Sequence, residues 1–241
     1  MNIIKVCLII FFLLIGLYFI NEICFPSTKN KKLISIHNKL TLKYGSFDEE
    51  LPEQLMVVKY IKGNEKVLEI GSNIGRNTLI IAYILNSNNN SDFVSLECDK
   101  ETVKKLEENK NLNNLNFYIE PCALSKRNLI QKGWDTIESD ILLDGYTSVD
   151  TISFNELNKK YNINFDTLVL DCEGAFYYIL KDMPEILDNI NLIIMENDYN
   201  DIEHKNYIDK ILKEKNFQVV YSKCGGWGPC QKFFFEVWKK I

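Results

Sequence analysis

Glycine is scarce, at 11 of 241 residues, which excludes a collagen-like repeat. A basic surplus is also missing. The formal net charge is −5, with 28 Lys and Arg against 33 Asp and Glu, which argues against a general nucleic-acid binder. A mean hydropathy of −0.14 excludes a multi-span membrane protein, and 46% hydrophobic residues exclude a disordered chain. Histidine is limited to His37 and His204, the first on a polar stalk and the second on a predicted surface helix. Neither is placed for catalysis. The seven cysteines are odd in number and lack framework spacing, which points to a reducing compartment. Cys224 and Cys230 have no second ligand pair to complete a zinc site and read as part of a turn.

One long apolar run is present. Residues 6–20 are an unbroken stretch of 15, and extension to 3–25 approaches the roughly 20 needed to cross a bilayer. Lys5 can snorkel at one end. The following Asn21, Glu22, Ile23 and Cys24 offer no small-residue cleavage site, so an uncleaved signal anchor fits better than a signal peptide. Residues 1–46 hold six lysines and one acid, Glu22, a charge of +5 that leaves −10 on the remainder. Lys29, Lys31, Lys32, Lys39 and Lys43 outweigh Lys5 and the α-amino group, so the positive-inside tendency puts the body in the cytosol. The expectation is a single-pass membrane protein with an anchor helix over 1–25, a basic stalk of little periodicity over 26–46, and one domain over 47–241. The glycosylation sequon at Asn89 reads as accidental in an Asn-rich chain.

Within the body, short β-rich runs at 66–70, 93–97, 116–120, 166–170 and 191–196 alternate with helical patterns. The helices fall at 74–85, 100–109, 175–180 and 202–215; another starts near Phe47, with Pro52 in its first turn. Ser153 and Glu156 form a capping box for one more helix. Two closing runs, 218–222 and 233–238, flank a Gly/Pro turn and read as an antiparallel hairpin. This alternation predicts a doubly wound α/β sheet whose ligand lies beyond the carboxyl ends of the strands.

The residues at those ends are acids and glycines. Gly71 and Gly75 after the first strand give a tight turn and a close approach of the next helix. The loop lacks the third glycine of a dinucleotide fingerprint. Glu69 would suit a pyrophosphate poorly but could hold a cationic group. Glu97, ending the second strand 26 residues after Gly71, is placed to accept from ribose hydroxyls, in nicotinamide and S-adenosylmethionine enzymes alike. Asp171 and Glu173 follow the fourth run, and Glu196, Asn197 and Asp198 the fifth.

In order, these motifs are E-x-G-S-N-I-G at Glu69–Gly75, the second-strand Glu97, C-A-L-S from Cys122, V-D-T-I from Val149, D-C-E-G at Asp171–Gly174, and Glu196. Over residues 65–200 the set resembles the FkbM family of S-adenosylmethionine-dependent methyltransferases. The resemblance implies a class I methyltransferase fold with a seven-stranded, mostly parallel sheet whose last strand is antiparallel. It also implies O-methylation of a sugar or other small hydroxyl compound. By the same resemblance, Glu69, Gly71, Ser72, Asn73, Gly75, Glu97, Cys122 and Ala123 would hold S-adenosylmethionine. Glu69 stands where Asp is commoner in the family, and Phe176 where another acid is usual.

An alcohol acceptor must lose its proton as the new bond forms. Asp171 is the first candidate base, followed by Glu173 and Glu196. A Mg²⁺ held by Asp171, Glu196 and Asn197 is an alternative. Other classes stay open: a membrane-tethered binding domain without catalysis, or a nicotinamide-dependent oxidoreductase or epimerase, for which Tyr207 and Lys210 have only near spacing. Residues 124–150 and the closing hairpin would shape the pocket of a small-molecule or glycan acceptor. Trp134, Tyr146 and Trp227 offer flat faces there; no nucleic-acid partner is expected.

Overall fold

The computed structural model describes residues 28–241, so the expected anchor helix over 1–25 lies outside the described residues. Among the described residues, no helix is long and apolar enough to cross a membrane.

Seven strands build the central sheet: β1 (Val67–Ile70), β2 (Phe93–Leu96), β3 (Tyr118–Glu120), β9 (Thr167–Leu170), β10 (Leu192–Glu196), β11 (Phe217–Lys223) and β12 (Phe235–Lys240). Their order is β11-β12-β10-β9-β1-β2-β3. Strands β3, β2, β1, β9 and β10 run parallel, while β12 is antiparallel to both its neighbours. The doubly wound sheet and the antiparallel closing hairpin are as expected. The first strands are short and apolar because both faces are covered, which suits parallel pairing.

Side chains alternate between the two faces with period two. Leu68, Ile70, Leu168, Leu170, Ile193 and Met195 pack into one core with helices α5 (Phe154–Tyr161), α6 (Phe176–Asp182) and α7 (Ile202–Glu214). Val67, Val169, Ile194 and Val237 pack into the other, with α1 (Thr28–His37), α2 (Leu51–Tyr60) and α3 (Arg76–Asn86). Leu106 of α4 (Lys100–Leu112) joins that second core. The Ser153 capping box is present in full, with Glu156 reaching back to the Ser153 backbone at 2.9 Å.

Two expectations are corrected. The segment 26–46 contains α1, whose Leu33 and Ile36 are buried with Leu40 against the body. His37 Nε2 lies 2.8 Å from Gln54 Oε1, and its ring stacks on Phe47 at 4.7 Å. The apolar spacing 33, 36, 40 is a helical stripe hidden among lysines. Helix α2 starts at Leu51 rather than near Phe47 because Glu50 takes a left-handed backbone, φ 60°.

Residues 123–152, left without elements by the sequence, carry five short strands. β4 (Ala123–Leu124) pairs with β8 (Thr151–Ile152), and β5 (Leu129–Lys132) is flanked by β6 (Asp135–Glu138) and β7 (Thr147–Val149). The three-stranded sheet β6-β5-β7 forms a flap beside the ends of the central strands, with Gln131, Thr136 and Ile137 on the wall of the cavity there.

Candidate active site

Beyond the carboxyl ends of β1, β2 and β9 lies a cavity of about 710 Å³, within the range of small-molecule sites. A shallower depression of about 500 Å³ at the opposite ends of the strands is lined by Gly63, Asn64 and residues 88–92, with Asp92 its sole titratable group.

The loop after β1 is fixed by its backbone. Gly71 has φ 88°, and a Cβ built there would sit 1.6 Å from the Asp171 carbonyl oxygen. Only glycine lets the loops after β1 and β9 approach this closely. The Gly71 and Ser72 amides both donate to the Leu96 carbonyl at 3.1 Å, and Ser72 Oγ donates to the same oxygen at 3.0 Å. Gly75, at φ 97°, leaves no room for a Cβ because Leu106 Cδ1 would stand 2.5 Å away, so α3 and α4 meet tightly.

Glu97 follows β2 and is 8% exposed. Its Oε2 accepts from the Asn73 amide at 2.9 Å and its Oε1 from the Asp99 amide at 2.8 Å. Each oxygen retains a lone pair, and the side chain borders the cavity. Burial raises its pKa above the usual carboxylate range. Glu97 thus joins the Asn73 loop to the second strand and leaves acceptor capacity for a ligand.

Asp171 follows β9 directly and lines the cavity. Burial, reinforced by the carboxylate of Asp198, pushes it well above the usual range. Such a group is a stronger base than an exposed aspartate once ionised. Glu173 and Gly174 continue the turn at φ 50° and 80°, and the Gly174 amide donates to Asp198 Oδ1 at 2.9 Å. Asp198 is 5% exposed, lines the cavity and is pushed up to about 7 by burial and then by Glu173.

The structure brings together Gly71, Asn73, Glu97, Cys122, Ala123, Asp171 and Glu173 in the cavity wall. It does not place Glu69, Ser72, Gly75 or Glu196 there. Glu69 lies within the β1 ladder, paired with Ser95, whose Oγ donates to it at 2.6 Å. Burial pushes Glu69 up to about 7. It stands behind the loop instead of offering its carboxylate to a cationic group. Ser72 is buried under the loop, and Gly75 serves helix packing.

Glu196 is still in the β10 ladder opposite Phe235, and Asn197 Nδ2 donates to the Phe233 carbonyl at 2.6 Å and to Glu236 at 3.1 Å. The set Asp171, Glu196 and Asn197 therefore does not converge. Among the described residues, no three His, Cys, Asp or Glu side chains are grouped to hold a metal.

Four residues of the cavity were not among the expected site residues. Asp198 is the second residue past β10, and counting from the end of the ladder would have favoured it over Glu196. His204, in the first turn of α7, reaches the cavity wall and stacks on Tyr177 at 3.7 Å. Arg127 and Tyr178 also line the cavity and carried no motif. Of the expected flat faces, Trp134 lines the cavity, whereas Tyr146 and Trp227 do not; Tyr146 donates to Asp135 at 2.8 Å. Burial disfavours the thiolate form of the cavity cysteines, pushing Cys98 to about 12, Cys122 to about 11 and Cys172 well above its usual value.

No family model and no curated protein matches the chain. Solved structures do. The ribosomal protein L11 methylase of Lactobacillus delbrueckii subsp. bulgaricus aligns with a TM-score of 0.51 at 14% identity, over 83% of this chain and 82% of that one. An O-methyltransferase from Bacillus cereus in complex with SAH aligns with a TM-score of 0.46 at 14% identity, over 92% and 94%. Methanocaldococcus jannaschii Trm5 in complex with adenosine gives 0.47 at 13%, over 82% of this chain and 49% of its own. The likeness is one of fold: a mixed α/β, Rossmann-like methyltransferase architecture with a seven-stranded sheet.

Proposed function

We propose that the chain is an S-adenosylmethionine-dependent methyltransferase acting on a hydroxyl group of a sugar or other small acceptor. The observation that carries this reading is the convergence of Gly71, Glu97 and Asp171 on one cavity at the strand ends of a methyltransferase-type sheet. The solved ribosomal protein L11 methylase of the same architecture supports the reaction class. The resemblance of its motifs to those of the FkbM family supports a hydroxyl acceptor.

The residues present fit the cofactor. Gly71 and Asn73 offer a loop with no side chain at its closest point, Glu97 has lone pairs left for ribose hydroxyls, and Cys122 and Ala123 add an apolar wall on the β2–β3 side. S-adenosylmethionine, when bound, supplies the methyl group. The cavity holds the acceptor in place, and positioning of this kind contributes several kcal/mol, up to about 7–11. Asp171 takes the hydroxyl proton of the acceptor. Once ionised, the buried carboxylate is a stronger base than an exposed one, and a general base contributes about 10²–10⁴ in rate.

The test is Asp171→Asn in a labelled-methyl transfer assay. Turnover should fall about 10²–10⁴-fold while cofactor affinity stays within a few-fold. If affinity collapses and turnover per bound cofactor does not, Asp171 is a binding group and the base lies elsewhere.

The apolar run at 6–20 supports a membrane anchor, and the lysines that follow it support a cytosolic body.

A further inference from the structure

The ionisable side chains in the cavity wall are almost all acidic. Eight carboxylates line it against one guanidinium, that of Arg127. Arg127 is already engaged, with Asp182 at 2.5 and 2.9 Å and with Glu138 at 2.6 Å. On the β9–β10 side, Asp171, Glu173, Asp198 and Asp201 have no Lys or Arg within salt-bridge distance among the described residues.

A group of acids is not by itself a site. Asp198 supplies the independent observation: it is 5% exposed, its Oδ1 is satisfied by Gly174, and its Oδ2 is buried with no hydrogen-bond partner among the described residues. A buried carboxylate oxygen without a donor is costly, so the site is incomplete as it stands.

The place of Asp198 in the sheet decides what completes it. Glu97 and Cys122 lie on the β2–β3 side of β1, the side assigned above to the adenosine part of the cofactor; Asp198, Glu173, Tyr178 and Asp201 lie on the β9–β10 side, the part of the cavity left for the acceptor. S-adenosylmethionine brings a single net positive charge, which leaves most of these acids uncompensated. An anionic acceptor would meet like charges in a low-dielectric cavity, and a neutral one could donate to a carboxylate but would bring no charge to balance these acids.

We propose that the methyl acceptor is a cation: an amine-bearing hydroxyl compound, such as an amino sugar or amino alcohol, whose ammonium group is held by Asp198 with Glu173 and Asp201 around it. This rests on the methyltransferase reading and narrows its acceptor. The ammonium is a handle, and no bond to nitrogen forms or breaks. It pairs with the Asp198 carboxylate, which keeps that group ionised against the burial that otherwise pushes it up to about 7. The hydroxyl is left for Asp171.

The experiment titrates the full-length chain, saturated with S-adenosylhomocysteine, with two matched trios: glucosamine, glucose and glucose 6-phosphate; 2-aminoethanol, ethylene glycol and glycolate. In at least one trio the amine should bind tenfold or more tighter than the neutral member, the acid should not bind, and the preference should shrink as salt rises. Asp198→Asn should remove the preference at least tenfold while leaving affinity for S-adenosylhomocysteine within twofold. Glu173→Gln, at an exposed residue, should weaken it about threefold and guards against a folding defect in the first variant. The proposal is overturned if neither amine binds, if the neutral or acidic member binds as well, if a short RNA stem-loop occupies the cavity, or if the preference survives both variants. If S-adenosylhomocysteine itself does not bind, the cofactor reading fails separately, and the same trios titrated into the unloaded chain decide the acceptor.

Discussion

Replacing Gly71 by alanine tests the junction on which the site depends. Two costs arise, and the structure separates them. The first is the backbone: at φ 88° an L-residue is strained by roughly 1–2 kcal/mol. The second is steric, because the new Cβ would stand 1.6 Å from the Asp171 carbonyl oxygen, and that oxygen is backbone. The loops after β1 and β9 must part by more than an ångström, at a cost on the order of 1–3 kcal/mol. Gly133 provides the control. It also has positive φ, 60°, but a Cβ there meets nothing within 4 Å, so Gly133→Ala bears the backbone cost alone. For a body of this size 1 kcal/mol shifts the melting temperature by about 2–4 °C, so Gly71→Ala should melt about 2–12 °C below Gly133→Ala. Calorimetry should show at least a tenfold loss of affinity for S-adenosylhomocysteine in Gly71→Ala alone, because the Asp171 turn moves with the loop. Equal melting temperatures with unchanged affinity would refute the close approach as the organising feature of the site.

Stability should depend on pH through the buried acids. Glu53, Glu69 and Asp198 are each pushed up to about 7 by burial, so the folded chain binds protons that the unfolded chain has lost. Their stabilising share is whole below about pH 4 and is lost as pH rises through 7, with Glu69 alone accounting for about 3 kcal/mol. Denaturant unfolding of Glu69→Gln should show a flatter decline between pH 5 and 8 than the unaltered chain; an identical slope would remove Glu69 from the account. The anchor reading predicts that the full-length chain needs detergent for extraction and that protease added from the cytosolic side digests the body. A glycan on Asn89 would reverse the orientation.

The strands and helices of the central sheet were legible because each is a short apolar run or a helical stripe bounded by polar residues. The flap was not. β6 and β7 are three or four residues long and mostly exposed, so they carry no burial pattern that a sequence can show. Helix α1 was obscured by the lysines between Leu33, Ile36 and Leu40. The misplaced acids have one common cause. Glu69 and Glu196 sit inside their ladders, where side chains alternate between the faces of the sheet, whereas Glu97, Asp171 and Asp198 come after the last paired residue and turn toward the end. Proximity to a strand end was readable; the residue at which the ladder stops was not. Arg127 and Tyr178 reach the cavity only through the flap and α6, and no local motif announces either.

The central claim is that the cavity holds an adenosyl cofactor, with Glu97 beneath the ribose, and calorimetry of the full-length chain tests it most directly. S-adenosylmethionine and S-adenosylhomocysteine should bind with one site per chain, and NAD should not bind at comparable concentration. Glu97→Ala should weaken both adenosyl ligands by about 10–150-fold, the loss expected for hydrogen bonds to a charged group. Binding of NAD in preference to either adenosyl ligand, or full adenosyl affinity in Glu97→Ala, would contradict it.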